Sequence, residues 1–183
     1  MVSIILVQLG IEYSRYIGYN QSEWNYVIPA HKGKTNKNRR KNGMKYGKFL
    51  PENGTIGFVA PSFGCNIEPY KSAFENAQKV WTKEGYSLSL GPNVYEGCGI
   101  GISNTPEKCA QEFDEWYEKE DVDVLISCGG GELMCEILPY VDFEKIRQEE
   151  PKWFMGYSDN TNLLFLLATL CDTAGIYGPC AAA

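Results

Sequence analysis

Histidine is almost absent: the chain of 183 residues holds one, His31. It sits in a basic stretch with little to bury, so no histidine is available inside a folded region to ligate a metal or to activate a hydroxyl. The seven cysteines (65, 98, 109, 128, 135, 171 and 180) include no CxxC pair. An odd thiol count with no ligand partners argues against zinc and against a disulfide framework. Several cysteines lie in apolar runs, LISCGGG and LATLCDTAG among them, where a reduced thiol behaves as a small hydrophobe. A reducing, cytoplasmic location is expected, with neither metal nor other cofactor. Long apolar runs are also missing. The best candidate, MVSIILVQLG, has an apolar run of about seven residues, broken at Ser3, and no basic flank, whereas a membrane span needs about 20 and a signal peptide needs a cleavage site.

Acids are lacking over one long window. None occurs between Glu23 and Glu52, while Lys32, Lys34, Lys37, Arg39, Arg40, Lys41, Lys45 and Lys48 all do. From Glu52 onward there are 21 acids against 8 bases, a net of −13. The chain therefore divides at about Met44 into a basic extension, residues 1–43, and an acidic body, residues 44–183. The run HKGKTNKNRRKNG has almost no apolar side chains and is expected to be disordered. A basic arm for RNA, DNA or anionic lipid is the functional alternative for it, while the acidic body argues against nucleic acid as a ligand. What remains is ordinary globular material, with 44% hydrophobic and 13% aromatic residues, enough for one core.

From Thr55 short apolar runs alternate with helical periodicity, the pattern of βαβ units. TIGFVA (55–60) reads as a buried strand, and Tyr70, Phe74, Ala77 and Trp81 give a helix over 68–85 that Gly85 ends. Tyr86–Leu90 is a second strand. Thr105-Pro106-Glu107 opens a helix with a hydroxyl at N-cap and proline at N1. VDVLISC (122–128) is a third strand, followed by Gly129-Gly130-Gly131 and a short helix over 132–138. Trp153–Tyr157 is a fourth strand, residues 160–173 form an apolar helix, and a fifth strand begins near the end. The expected fold is α/β: an open parallel sheet with flanking helices, flavodoxin-like. The apolar helix needs cover on most sides, so the chain is expected to be incomplete or to have a partner.

Two features lie where ligands bind such sheets, beyond the carboxyl ends of the strands. Gly156-Tyr157-Ser158-Asp159-Asn160-Thr161 falls between a strand and a helix, as a nucleophile elbow does, although Asn160 stands where G-x-S-x-G has its last glycine. Ser158 or Asp159 could equally be a helix cap. The glycine run 129–131 could offer backbone N–H groups to an oxyanion or merely permit a tight turn. A phosphate cradle is disfavoured because Glu132 follows the glycines. Gly97-x-Gly99-x-Gly101 sits in a long loop rather than at a strand-to-helix junction, which argues against a dinucleotide fingerprint.

TIGFVAPS (55–62), ISCGGGELMCEIL (126–138) and WFMGYSDNTNLLFLLATLCDTAGIYGP (153–179) resemble the N-terminal half of the LD-carboxypeptidase family of serine peptidases, which includes the microcin C immunity peptidases. The resemblance covers roughly residues 44–183. It implies a cytoplasmic hydrolase with a Ser-His-Glu triad that removes the terminal D-alanine from murein tetrapeptides during cell-wall recycling, and a possible homodimer. Ser158 matches the nucleophile, and Asp159 with Gly130 would supply the oxyanion-hole N–H groups. Which glycine of 129–131 is the donor stays open. The family's glutamate and histidine belong to a C-terminal domain, and no residue here matches them. By the resemblance this chain alone is nearly inactive, with a peptidase of peptidyl or aminoacyl nucleotides and a non-catalytic α/β binding module as the alternatives.

Overall fold

A computed structural model describes residues 43–183. The expectations for the basic extension, His31 among them, lie outside the described residues. Contacts group Met44–Ala183 into one unit.

Aliphatic and aromatic runs bounded by glycine or proline make the strands. β1 (Thr55–Val59), β3 (Val124–Ser127) and β4 (Trp153–Gly156) are buried almost throughout, as strands covered on both faces must be. β2 (Ser87–Leu90) and the two-residue β5 (Ile176–Tyr177) form the edges. The order is β2-β1-β3-β4-β5 with every pair parallel, the order of flavodoxin-like sheets, and the open parallel sheet is the one expected from the alternation. Register pairs Val59 with Ser127, Ile126 with Met155, and Gly156 with Tyr177. The loops that leave β1, β3 and β4 therefore emerge together at one edge.

Side chains alternate across the sheet, and both faces are covered. On one, Phe58 packs edge-on against Phe74 of α1 (Tyr70–Lys83) with ring centroids 5.2 Å apart. On the other, Val59, Leu125 and Phe154 join Phe113 and Tyr117 of α2 (Pro106–Glu118), Ile146 of α3 (Phe143–Gln148) and Leu163, Leu164 and Leu167 of α4 (Thr161–Leu170) in one cluster. Gly85 takes φ +95° just beyond α1, the left-handed conformation that ends a helix without a Cβ penalty. The carbonyls of Trp116 and Lys119 at the end of α2 receive the Lys152 ammonium, a cation where the helix dipole favours one.

Three local expectations change. Thr105 occupies the N-cap of α2, but its side chain makes no capping bond. The helix expected over 132–138 is replaced by two single 3₁₀ turns, Met134–Glu136 and Leu138–Tyr140. Pro139 disfavours helical geometry before it, and the Met134 N–H is drawn to Asp159 instead. The short helix α3 was not foreseen; Asp142 caps it by accepting from the Lys145 N–H at 3.0 Å. α4 is covered on one face only, leaving Phe165 and Leu170 exposed. No helix among the described residues is long and apolar enough to cross a membrane.

Candidate active site

β4 ends at Gly156, and the chain reverses within four residues. Tyr157 is extended, and Ser158 takes φ +57°. A left-handed serine costs on the order of 1–2 kcal/mol, so the surrounding bonds must hold it there. The Asn160 N–H donates to the Tyr157 carbonyl at 3.2 Å, and the Asn160 side-chain amide donates to the same oxygen at 3.1 Å. The Thr161 hydroxyl donates to the Ser158 carbonyl at 2.6 Å. A Cβ on residue 156 would lie 2.8 Å from that of Asn160, so glycine is required for the turn to close. Ser158 is exposed at the top of this elbow.

Neither Ser158 nor Asp159 caps the helix. Asn160 holds the N-cap position of α4 without a capping bond. Asp159 ties loops together: its carboxylate accepts from the Ser62 hydroxyl (2.6 Å), the Met134 N–H (2.7 Å) and the Asn162 amide (3.0 Å). With both oxygens engaged, it is a strut and not a base.

The three glycines after β3 face different ways. A Cβ on Gly129 would approach the Phe63 carbonyl at 2.9 Å, and one on Gly131 would collide with the Ser62 hydroxyl at 2.1 Å. One on Gly130 would point at Ser158, 3.4 Å from its Cβ and 3.7 Å from its Oγ. Gly130 is thus the glycine beside the serine. Neither Gly130 nor Asp159 donates its backbone N–H to a carbonyl among the described hydrogen bonds.

The thiols near this site are held protonated by burial. Burial pushes the Cys180 thiol up to about 11, and Cys128 is raised by burial and by its neighbour Cys65. Such thiols stay protonated at neutral pH and act as packing. Among the described residues there is no histidine, and no cluster of metal-ligating side chains. The arrangement sets a left-handed, exposed serine beside Gly130 at the carboxyl edge of the sheet.

Sequence reading brought Ser158, Asp159 and Gly130 to this edge, and the structure brings them together. It missed Ser62, Ser127, Asn160 and Thr161, whose side chains hold the backbone. Hydroxyl and amide residues flanking each turn were the available signal.

Comparison with known proteins gives these motifs a family. Residues 56–178 match the LD-carboxypeptidase N-terminal domain, Peptidase S66. A provisionally named carboxypeptidase of Vibrio cholerae is 30% identical over 136 residues, covering 74% of this chain and 40% of the relative. The microcin C7 self-immunity protein MccF of Escherichia coli is 30% identical over 125 residues, covering 68% of this chain and 36% of its own. The structure of MccF with aspartyl sulfamoyl adenosine superposes with a TM-score of 0.68 at 27% identity, over 76% of this chain and 40% of that one. The chain thus spans about 40% of the length of the curated relatives it matches. This chain therefore belongs to the LD-carboxypeptidase family and carries the family's N-terminal domain.

Proposed function

We propose that residues 44–183 are the nucleophile-bearing domain of a serine LD-carboxypeptidase that releases the terminal D-alanine of murein tetrapeptides in the cytoplasm. The observation that carries this reading is the left-handed, exposed Ser158 lying against Gly130 at the end of β4. Ser158 Oγ attacks the carbonyl carbon before D-alanine, and the carbonyl oxygen becomes an oxyanion received by the N–H groups of Gly130 and Asp159. The C–N bond breaks, D-alanine leaves with a proton, and water hydrolyses the acyl-serine. The proton on Ser158 must pass to a base outside the described residues, the histidine and glutamate that the family carries elsewhere. Without them the residual rate comes from the oxyanion hole and binding, about 10³–10⁴ over water in well-studied triads.

A second reading has its own support. MccF structures hold adenosine monophosphate and aspartyl sulfamoyl adenosine, which favours a peptidyl or aminoacyl nucleotide as substrate. Binding of each ligand to this chain by calorimetry separates the two: heat with a murein tetrapeptide alone supports the carboxypeptidase, and heat with the sulfamoyl nucleotide alone supports the immunity type. The shared chemistry is tested by mass spectrometry after treatment with a fluorophosphonate. An adduct on Ser158 that disappears in Ser158→Ala is expected; an adduct spread over other residues and unchanged by that substitution would sink the nucleophile.

A further inference from the structure

Two peptide planes decide whether the N–H groups beside Ser158 point at a substrate, and each plane is gripped from its far side. A trans peptide sets its C=O and N–H in opposite directions, and both the Gly129–Gly130 and Ser158–Asp159 peptides are trans. The Gly129 carbonyl accepts two hydrogen bonds, from the Ser127 hydroxyl at 2.8 Å and the Asn160 side-chain amide at 3.0 Å. The Ser158 carbonyl accepts twice from Thr161, from its hydroxyl at 2.6 Å and from its backbone N–H, which is shared with the Asp159 carbonyl. Fixing those oxygens fixes the N–H of Gly130 and the N–H of Asp159 on the opposite sides.

We propose that Ser127, Asn160 and Thr161 are positioning residues that aim the two oxyanion-hole N–H groups by clamping the carbonyls of the same peptides. This rests on the reading of Ser158 as the nucleophile. Asn160 joins the two halves: its buried amide nitrogen reaches Gly129 of the β3 loop and Tyr157 of the elbow. A movement of one loop is thereby resisted by the other. Asn160 stands where a hydrolase elbow has glycine, so the side chain that replaces it has a use: it holds the neighbouring loop in register. Preorganisation of this kind matters because a donor helps only if it is already aimed when charge develops.

The test follows Ser158 phosphonylation in the full chain with an alkyl fluorophosphonate, with imidazole in the buffer as the base. The Ser158 Oγ–P bond forms, the P–F bond breaks, fluoride leaves and imidazole takes the proton. Intact mass over time gives a maximal rate and a half-saturating concentration. Ser127→Ala removes the hydroxyl bond to the Gly129 carbonyl and leaves that of Asn160, and Thr161→Val removes the hydroxyl bond to the Ser158 carbonyl and leaves that of the Thr161 N–H; Thr161→Ser keeps the hydroxyl. Thr169→Val is the control, because Thr169 makes the same hydroxyl-to-carbonyl bond, to Phe165 at 2.8 Å, elsewhere on α4. The expected result is a maximal rate lowered roughly tenfold in Ser127→Ala and in Thr161→Val, less than the ~10²–10³ lost when a donor is deleted outright. The half-saturating concentration should hold, Thr161→Ser should restore most of the rate, and Thr169→Val should change neither. If Ser127→Ala does not fold, Thr161→Val with its serine rescue decides alone. Wild-type rates in Thr161→Val, or a change confined to the half-saturating concentration, overturn the positioning role and leave Ser158 as nucleophile. No wild-type adduct above the Ser158→Ala background overturns both.

Discussion

A methyl group added at position 131 would lie 2.1 Å from the Ser62 hydroxyl, and one at position 130 would meet nothing nearer than 3.4 Å. The two glycines therefore answer differently to the same substitution. Gly131→Ala must push apart the β1 and β3 loops, and should destabilise by about 1–3 kcal/mol, as overpacking does. Gly130→Ala should cost under about 1 kcal/mol, since Gly130 does not need a positive φ. It should nonetheless slow Ser158 phosphonylation several-fold, because its methyl would stand 3.7 Å from Oγ, where a substrate must pass. Urea midpoints and labelling rates on the two variants check the contrast; equal stability losses would contradict it. The sequence made Ser158, Asp159 and the glycine run 129–131 legible as candidates because strand-glycine and strand-serine junctions are local patterns. It could not single out Gly130, since which way each glycine faces depends on Ser62 and Phe63, far away in sequence. Asn160 was hidden for a related reason: locally it is only a departure from an elbow pattern, and its partners Gly129 and Cys180 arrive through the fold.

The elements were legible where period and punctuation agreed. α1, with its apolar spacing and Gly85, and the strands β1, β3 and β4, with unbroken apolar runs, fall close to where pattern places them. α3 was not, because six residues carry too little period to register. α2 holds a residue whose cost no pattern reveals. Glu112 is 1% exposed, and its two carboxylate oxygens accept from the N–H groups of Ala60 (2.8 Å) and Asn93 (2.9 Å). It anchors the loops leaving β1 and β2 to the helix, yet burial outweighs those bonds and lifts its pKa from 4.5 to about 7. The folded state then holds a proton that the unfolded chain has released, so stability falls as pH rises from about 4.5 and levels off beyond about 7. The loss is about 3 kcal/mol at most. Asp114, raised by burial to about 6, adds to the same trend. Urea midpoints taken from pH 5 to pH 8 should decline, and Glu112→Gln should flatten much of that slope while lowering stability at pH 5, since a neutral amide can accept only one of the two N–H groups. A slope unchanged in Glu112→Gln would move the titration to other groups.

At the scale of the whole molecule, strand-helix alternation made the open parallel sheet legible, while the order β2-β1-β3-β4-β5 came only with the structure. The incomplete cover of α4 was legible too. Its run NLLFLLATL reads as a helix wanted on all sides, and the described residues cover it on one. Phe165 is 51% exposed and Leu170 38%, while Tyr177 of the edge strand β5 is 44% exposed. Burying side chains of this size yields about 1.5–3 kcal/mol each, and exposed apolar groups of this kind mark interaction surfaces. Edge strand β5 also carries backbone groups open to pairing. The prediction is that this chain self-associates weakly and reversibly. Sedimentation velocity should show the average mass rising with concentration, and Phe165→Ser combined with Tyr177→Ser should return it toward the 20.6 kDa of one chain. The loss should come without a fall in melting temperature beyond a few degrees, because both side chains are substantially exposed in the folded chain. A single species at 20.6 kDa over the whole concentration range would show that this face is tolerated by water. Association that survives the double substitution would place the contact on another surface.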